Sequence, residues 1–326
     1  MLHQKYGIRK SRTSNNLSEL RKLMARHTGV VVNCAAQRTE LIESQSLTKS
    51  ALGLAYILEK VNLNLPFIPE DPTLDINLYM ALNHMTGYEN NEDFDWKTFL
   101  KKSKTKEFYQ YAVAVFLKAA GRGPSFQTQK TKNKERASPI KTKPNKFKYN
   151  NIAYQILAHR FYQITGKQAH TVLAKKLGSG LRMKWTLDPT GTPLGPRGLL
   201  LDHDSAEAIG ALASNVLKMP YASLSTRTAK KNWIAATRKW KGDLPQSILL
   251  HYYMGWWIVI QKSTKRPIVA YARGWMAQHI CIDLTNKLLP AVQLREQFWI
   301  IPSDHEAHFV ERYVQSVLKA QKGLVQ

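Results

Sequence analysis

Apolar residues recur at helical spacing in the first 120 positions of the chain. Two sets of residues three or four apart carry this pattern: Leu47, Ala51, Leu54, Leu58 and Val61, and later Phe108, Ala112, Val115 and Ala119. Such spacing lines one face of a helix, so we predict a helix through each set. Capping signals and periodicity add helices at 16–27 and 74–85, and the apolar run at 29–33 predicts a short strand.

The pattern becomes mixed in the second half. Helices are predicted at 154–164 and 170–177, each ended by a glycine. Between 181 and 187, apolar residues alternate with Arg182 and Lys184, which predicts a half-buried strand with a basic outer face. The remaining predicted elements are a return strand, two strands that flank a turn, and a closing helix: 199–201, 252–261, 267–273 and 304–322.

A polar stretch separates the two halves. Residues 121–149 show no apolar period and consist mostly of Lys, Thr, Gln, Asn, Ser and Pro, a composition typical of a flexible linker. We therefore expect a mainly helical domain at 1–120, a basic linker at 121–149, and a basic domain of helices and two hairpins at 150–326. The expected fold class is α+β.

Charge adds a partner class to this picture. The chain has 48 Lys and Arg against 23 Asp and Glu, a net charge of +25, of which +8 lies in 121–149 and +13 in 150–326. A charge of this size exceeds what solubility requires and favours a polyanionic partner. Two cysteines among 326 residues exclude a disulfide framework and a thiolate zinc site.

A predicted helix at 226–241 is the strongest candidate for contact with nucleic acid. Trp233, Ala236 and Trp240 would form its apolar face. Six cations occupy the rest of it: Arg227, Lys230, Lys231, Arg238, Lys239 and Lys241. Clustered cations repel one another unless phosphates neutralise them, although a solvated basic helix explains the same pattern.

Two further groups of cations extend the predicted surface. Arg182 and Lys184 lie two residues apart on one strand face, close to the spacing of neighbouring phosphates, but such charges also protect sheet edges from aggregation. In the linker, Lys132, Lys134 and Arg136 could bind phosphates without a fixed shape, or could serve in a soluble spacer. The aromatic residues could stack on bases, but core packing is favoured for Trp185, Trp233 and Trp256.

Catalytic motifs do not emerge from the same search. The chain lacks the G-x-S-x-G nucleophile turn, the Walker phosphate loop and the dinucleotide-binding glycine pattern. The cluster at 202–204 could bind a metal, but Asp204 and Glu207 match a helix-capping box, and His305 and His308 are one residue short of the zinc-protease spacing. No cofactor, metal site or catalytic residue is therefore predicted.

These patterns favour a nucleic-acid-binding protein without catalytic activity, with DNA slightly preferred over RNA because the basic helix is sized for a major groove. An RNA-coating or ribonucleoprotein subunit is the near alternative. A nucleic-acid-processing enzyme with a dispersed site, such as a nuclease, is the second class. The N-terminal domain could bind a second copy or other subunits. No run reaches the about 18 apolar residues of a membrane span, and no secretory signal is seen, so an intracellular location is expected.

Overall fold

The computed structural model describes residues 41–71, 73–88, 108–120, 147–178, 181–188, 190–217, 248–274, 278–294 and 303–322. Seven α-helices lie in these ranges: α1 Thr48–Leu58, α2 Leu78–Leu82, α3 Phe108–Ala119, α4 Asn151–Thr165, α5 Ala169–Leu177, α6 His203–Val216 and α7 Ser303–Gln321. Eight strands accompany them: β1 Ile42–Glu43, β2 Met183–Trp185, β3 Leu199–Leu201, β4 Ile248–Tyr253, β5 Trp256–Gln261, β6 Pro267–Gly274, β7 Gln278–Asp283 and β8 Ala291–Gln293.

The strands form two antiparallel sheets. The larger sheet has the order β4-β5-β6-β7-β8, so every strand pairs with its neighbour in sequence. The smaller sheet has the order β1-β3-β2, which brings a strand near residue 42 beside one near residue 200. The first strand thus fixes the start of α1 against a distant part of the chain.

Both faces of the large sheet are covered. Alternate residues of β5 point to opposite faces of the sheet. One core contains Trp256, Ile258 and Ile260, and the core on the other face contains Val259. The first core is the larger one and includes buried residues of α1, α4, α5 and α6. On the other face, α7 contributes a stripe at helical spacing: Val310, Tyr313, Val314 and Val317.

A tight hairpin turn joins the large sheet to α1. Met254 and Gly255 connect β4 and β5 with positive φ angles of 51° and 88°, as a two-residue turn of this kind requires. A Cβ atom on Gly255 would overlap the carbonyl oxygen of Lys49. One helical turn further, a Cβ on Gly53 would overlap the carbonyl oxygen of Met254. The two glycines therefore let the hairpin lie directly against the helix backbone.

The α+β class is confirmed. The predicted helices at 154–164 and 170–177 are confirmed within a few residues, as are the strand after 181 and its return strand at 199–201. The helix predicted at 74–85 is wrong in length. It spans only Leu78–Leu82, because the Asn77 side chain accepts a hydrogen bond from the Met80 amide and starts the helix late, while His84 has a φ of 54° and ends it early.

The strand predicted at 252–261 is also wrong. The turn at Met254 and Gly255 divides this apolar run into β4 and β5, because the run is buried on both sides of the turn and shows no polar break. At α6 the helix cap is Asp202, whose carboxylate accepts from the Ser205 amide, rather than Asp204. The division at 121–149 stays a prediction, and the first core takes residues from both sides of that segment.

Some predicted elements lie outside the described residues. These are the helix at 16–27, the strand at 29–33, most of the linker (121–146) and the basic helix at 226–241. In the part of the chain that the structure describes, no helix is long and apolar enough to cross a membrane.

We expect Gly53→Ala to destabilise the protein by about 3 kcal/mol, although the same change in an exposed helix stabilises it by about 1 kcal/mol. The added methyl group would overlap the Met254 carbonyl, so helix and hairpin must separate. Chemical denaturation measures the difference.

Gly166→Ala is the control. Gly166 has a φ of 66° but no atom within 4 Å of its would-be Cβ, so its substitution reports backbone strain alone, about 1–2 kcal/mol. A Gly53 variant as stable as the wild type would contradict the close approach of helix and hairpin.

Candidate active site

Ser46 lies at a strained turn that leads into α1. A 3-10 turn, Gln45–Leu47, directly precedes the helix, and Gln45 has a φ of 52°. The Ser44 amide donates to the Leu199 carbonyl of β3 at 2.8 Å, which ties the turn to the small sheet. Ser46 is half-buried. A positive φ at a residue other than glycine costs free energy, and such strain is found mainly at functional sites.

Lys49 faces Ser46 across one helical turn. Its Nζ donates to Ser46 Oγ at 2.9 Å and to the Pro196 carbonyl oxygen at 3.0 Å. The side chain is fully buried, and neither acceptor carries a charge. Burial, and then the positive charge of Arg197, hold the pKa of Lys49 well below its usual value. The amine is therefore more often neutral than an exposed lysine.

Tyr149 completes a group of three. Its hydroxyl hydrogen-bonds with Ser46, and its ring centroid lies 4.8 Å from Lys49 Nζ. Burial raises the pKa of Tyr149 to about 12, against the opposing effects of the Ser46 hydrogen bond and the positive charge of Arg273. Tyr149 therefore keeps its proton at neutral pH and can pass it through a hydrogen bond.

The loop that carries the Pro196 carbonyl is held on both sides. Downstream, the Leu199 amide donates to Thr48 Oγ1 at 3.2 Å, next to Lys49. Upstream, the Gly195 amide donates to Gln155 Oε1 of α4 at 3.1 Å. The acceptor for the Lys49 amine is thus fixed by contacts to α1 and α4.

A buried carboxylate anchors the start of the same loop. Asp188 Oδ1 accepts from the amides of Thr190 and Thr192 at 2.9 and 3.0 Å, and Oδ2 lies 2.8 Å from His159 Nε2. Burial alone would raise the pKa of Asp188, but the hydrogen bonds from His159 and Thr190 outweigh it and hold the pKa below its usual value. The Gln155 Nε2 group donates weakly to the same carboxylate at 3.4 Å, which links this anchor to Gly195.

Ser46, Lys49 and Tyr149 together provide the parts of a nucleophilic site. A serine hydroxyl is a weak nucleophile until a neighbouring base accepts its proton, and Lys49 with a lowered pKa is such a base. The spacing Ser46-Leu47-Thr48-Lys49 matches the S-x-x-K pattern of serine acyl-transfer enzymes.

The sequence patterns did not indicate this site. The pattern Ser-x-x-Lys occurs four times in the chain, beginning at Ser46, Ser103, Ser138 and Ser316, so its presence alone has little specificity. The available signal was its position at the start of an apolar helix. Tyr149 was assigned to the linker, and nothing in its neighbouring residues indicates that it lies beside Ser46.

The predicted site residues are placed as follows. Arg182 and Lys184 are exposed, beside and on β2, and their contact with nucleic acid stays a prediction. The other predicted contacts lie outside the described residues: Lys132, Lys134, Arg136, Arg227, Lys230, Lys231, Arg238, Lys239 and Lys241. Trp185 and Trp256 are buried, as predicted, whereas Trp233 is outside the described part. Among the described residues no cluster of three potential metal ligands occurs.

Three solved structures are similar in fold to this chain. A Bacillus anthracis protein assigned as a 6-aminohexanoate-dimer hydrolase superposes with a TM-score of 0.52 at 18% identity, over 90% of this chain and 76% of its own. A β-lactamase/D-alanine carboxypeptidase from Yersinia pestis gives 0.54 at 17% identity, over 89% and 87%. Simvastatin synthase from Aspergillus terreus gives 0.55 at 12% identity, over 87% and 85%. No family model matches the sequence, and no curated protein is similar to it in sequence.

The prediction of a non-catalytic nucleic-acid-binding protein is wrong. The chain shares its fold with a protein assigned as a 6-aminohexanoate-dimer hydrolase and with a β-lactamase/D-alanine carboxypeptidase, and this finding contradicts the prediction. The expectation of a ribonucleoprotein or DNA-binding protein fails on the same finding. The error arose because net charge reports on solubility and association, whereas the fold and the chemistry depend on a few buried residues.

We expect Lys49→Met to raise the melting temperature at pH 7, because methionine fills similar space without an amine that must be buried. A lysine with a lowered pKa in the folded state destabilises that state at every pH below its unfolded pKa of about 10.4. Each kcal/mol gained corresponds to roughly 2–4 °C.

The sign of the effect depends on pH. The wild type becomes more stable as pH rises from the lowered folded pKa towards about 10.4, while the variant lacks this gain, so the difference between them shrinks over that window. Melting curves of both proteins at pH 6, 8 and 10 measure it. A variant less stable than the wild type at pH 7 would contradict the buried, destabilising amine.

Proposed function

We propose that this protein is a serine hydrolase that forms an acyl-enzyme through Ser46 on ester or amide substrates. The observation that carries the proposal is the 2.9 Å contact between Ser46 Oγ and the buried amine of Lys49. The hydrolases that share the fold support it at the level of reaction type.

In the acylation step, neutral Lys49 accepts the proton of Ser46 Oγ as the oxygen attacks the substrate carbonyl carbon. The new bond joins Oγ to carbon, and the carbonyl electron pair moves to the carbonyl oxygen. When that pair returns, the bond to the leaving group breaks. Water then attacks the acyl-enzyme and releases the acid, while Ser46 regains its proton.

Tyr149 is placed to move the proton. Its hydroxyl hydrogen-bonds with Ser46, which accepts from Lys49, so in this proposal it delivers a proton from the site to the departing oxygen or nitrogen. Its raised pKa suits this role, since a hydroxyl that keeps its proton can donate one and take another in the same step.

The helix start stabilises the charge that develops on the carbonyl oxygen. Ser46 lies in the first turn of the segment 45–58, where amide groups have no partner within the helix and the dipole favours negative charge. The Ser46 amide is therefore a donor for the oxyanion. Arg197 and Arg273 add positive charge, as their effects on Lys49 and Tyr149 indicate.

Ser46→Ala should abolish covalent labelling by an alkyl fluorophosphonate, and should lower the hydrolysis of a p-nitrophenyl ester by about 10⁴-fold or more. In the labelling reaction Ser46 Oγ bonds to phosphorus, fluoride leaves, and Lys49 takes the proton. Intact-mass spectrometry followed by peptide mapping identifies the labelled residue.

Ser44→Ala is the matched control, because Ser44 is a buried serine two positions away. It should leave the label on Ser46. Equal labelling of the Ser46→Ala protein, or a label that maps to another residue, would refute the proposed nucleophile.

The labelling rate should rise with pH through the lowered pKa of Lys49, because only the neutral amine can accept the Ser46 proton. The midpoint should lie well below 10.4, and Tyr149 should stay protonated until about pH 12. Second-order rates between pH 5 and 10 measure this profile. Lys49→Arg, always charged, should be nearly inactive across the range. If the labelling rate does not fall at low pH in the wild type or in Lys49→Arg, Lys49 is not the base.

A further inference from the structure

Tyr149 lies in a segment that has no secondary structure of its own. Residues 147–150 belong to neither a helix nor a strand, and α4 begins only at Asn151. The position of the Tyr149 hydroxyl therefore depends on contacts from elsewhere in the fold. One residue, His84, supplies contacts on both sides of it.

Two hydrogen bonds join His84 to the peptide groups that flank Tyr149. The Lys148 amide donates to the His84 carbonyl oxygen at 2.7 Å, and the Asn150 amide donates to His84 Nδ1 at 3.0 Å. The Asn150 side chain also donates to the Tyr88 carbonyl at 3.1 Å and caps α4 by accepting from the Ala153 amide. His84 thus binds the backbone on both sides of Tyr149.

The imidazole ring also contacts the tyrosine directly. The ring centroids of His84 and Tyr149 lie 4.2 Å apart, and those of Tyr154 and Tyr252 lie 5.0 and 4.9 Å from His84. His84 is fully buried. Its backbone φ of 54° belongs to the left-handed region, where a residue with a Cβ is strained and persists only if its surroundings require it.

The protonation state agrees with this arrangement. Burial, and then the positive charge of Lys49, hold the pKa of His84 well below its usual value, so the ring is neutral. Because Nδ1 accepts the Asn150 amide, the single ring proton is on Nε2. Among the described residues no hydrogen-bond acceptor contacts Nε2, so this nitrogen donates no proton to Ser46 or Lys49.

We propose that His84 is the positioning residue of Tyr149: it clamps the peptide groups on both sides of the tyrosine and packs its neutral ring against the phenol. This inference rests on the proposed function, because it assigns to His84 an effect on the proton transfer through Tyr149. His84 does not contact the reacting atoms and acts only through the tyrosine.

The test is a double-mutant cycle between His84→Ala and Tyr149→Phe, read as the rate of Ser46 labelling by the fluorophosphonate. In the wild-type background, His84→Ala should slow labelling by about 100-fold, the scale of loss when a reacting group is misplaced by about 1 Å. In the Tyr149→Phe background the same change should have an effect of about two-fold or less, because the hydroxyl that His84 positions is already absent.

The variant His84→Asn tests the hydrogen bond to the Asn150 amide separately from the packing of the imidazole ring. Asparagine tolerates positive φ and places an amide oxygen where Nδ1 accepts from Asn150, so it should recover most of the rate lost in His84→Ala. If His84→Ala does not fold, as judged by its melting curve, His84→Gln replaces it in the cycle, since its amide lies one bond further out.

Two failures can be told apart. If Ser46→Ala is labelled like the wild type, the proposed function fails. If Ser46 is the labelled residue but His84→Ala slows labelling equally in both backgrounds, or not at all, the hydrolase proposal stands and the role of His84 is overturned.

Discussion

The burial of the Lys49 amine between two uncharged acceptors is the constraint on which the site depends. An ammonium group without water is costly, so this environment favours the neutral amine. The burial that favours the neutral amine for the proposed chemistry therefore also destabilises the folded protein. Contacts around α1 offset it: the hairpin turn packs on the Lys49 backbone, β3 binds the turn before the helix, and Tyr149 lies over the amine. These contacts hold in place the turn and the helix that carry Ser46 and Lys49, so the stability of this region and the geometry of the proposed site depend on the same interactions.

Three of the six non-glycine residues with a positive φ in the described part of the chain lie around the same residues. Gln45, His84 and Met254 have φ angles between 51° and 54° although none is a glycine. Gln45 precedes Ser46, the proposed nucleophile. His84 binds the peptides beside Tyr149, and Met254 packs against Gly53 of the helix that carries Lys49. Each such residue costs about 1–2 kcal/mol, which only tertiary contacts can sustain. The site is therefore assembled from three strained turns, whose geometry depends on long-range hydrogen bonds rather than on local sequence preference.

This dependence explains which parts of the structure could be predicted from the sequence. Periodicity located α4 and α5 because their glycine ends and buried faces are local signals. It failed at Met254, where an apolar run buried on both sides of a turn has no polar break, and at α2, where a capping asparagine and a strained histidine shorten the helix. The Ser46–Lys49 spacing is local but common, and Tyr149 joins it only through contacts across about 100 residues of sequence. No pattern within one window of the chain contains that information.

The charge of the protein gave a misleading indication for a physical reason. Forty-eight basic residues describe a long-range field, and such a field governs solubility and association. The proposed reaction uses a different property of a basic residue, the loss of its proton when the amine is buried. Lys49, the proposed base, contributes little to that field, because burial disfavours its charge. Arg197 is a basic residue that also affects the site directly, since its positive charge lowers the pKa of Lys49 further. The charge that acts on Lys49 is therefore that of one neighbouring arginine, which the net charge of the chain does not reveal.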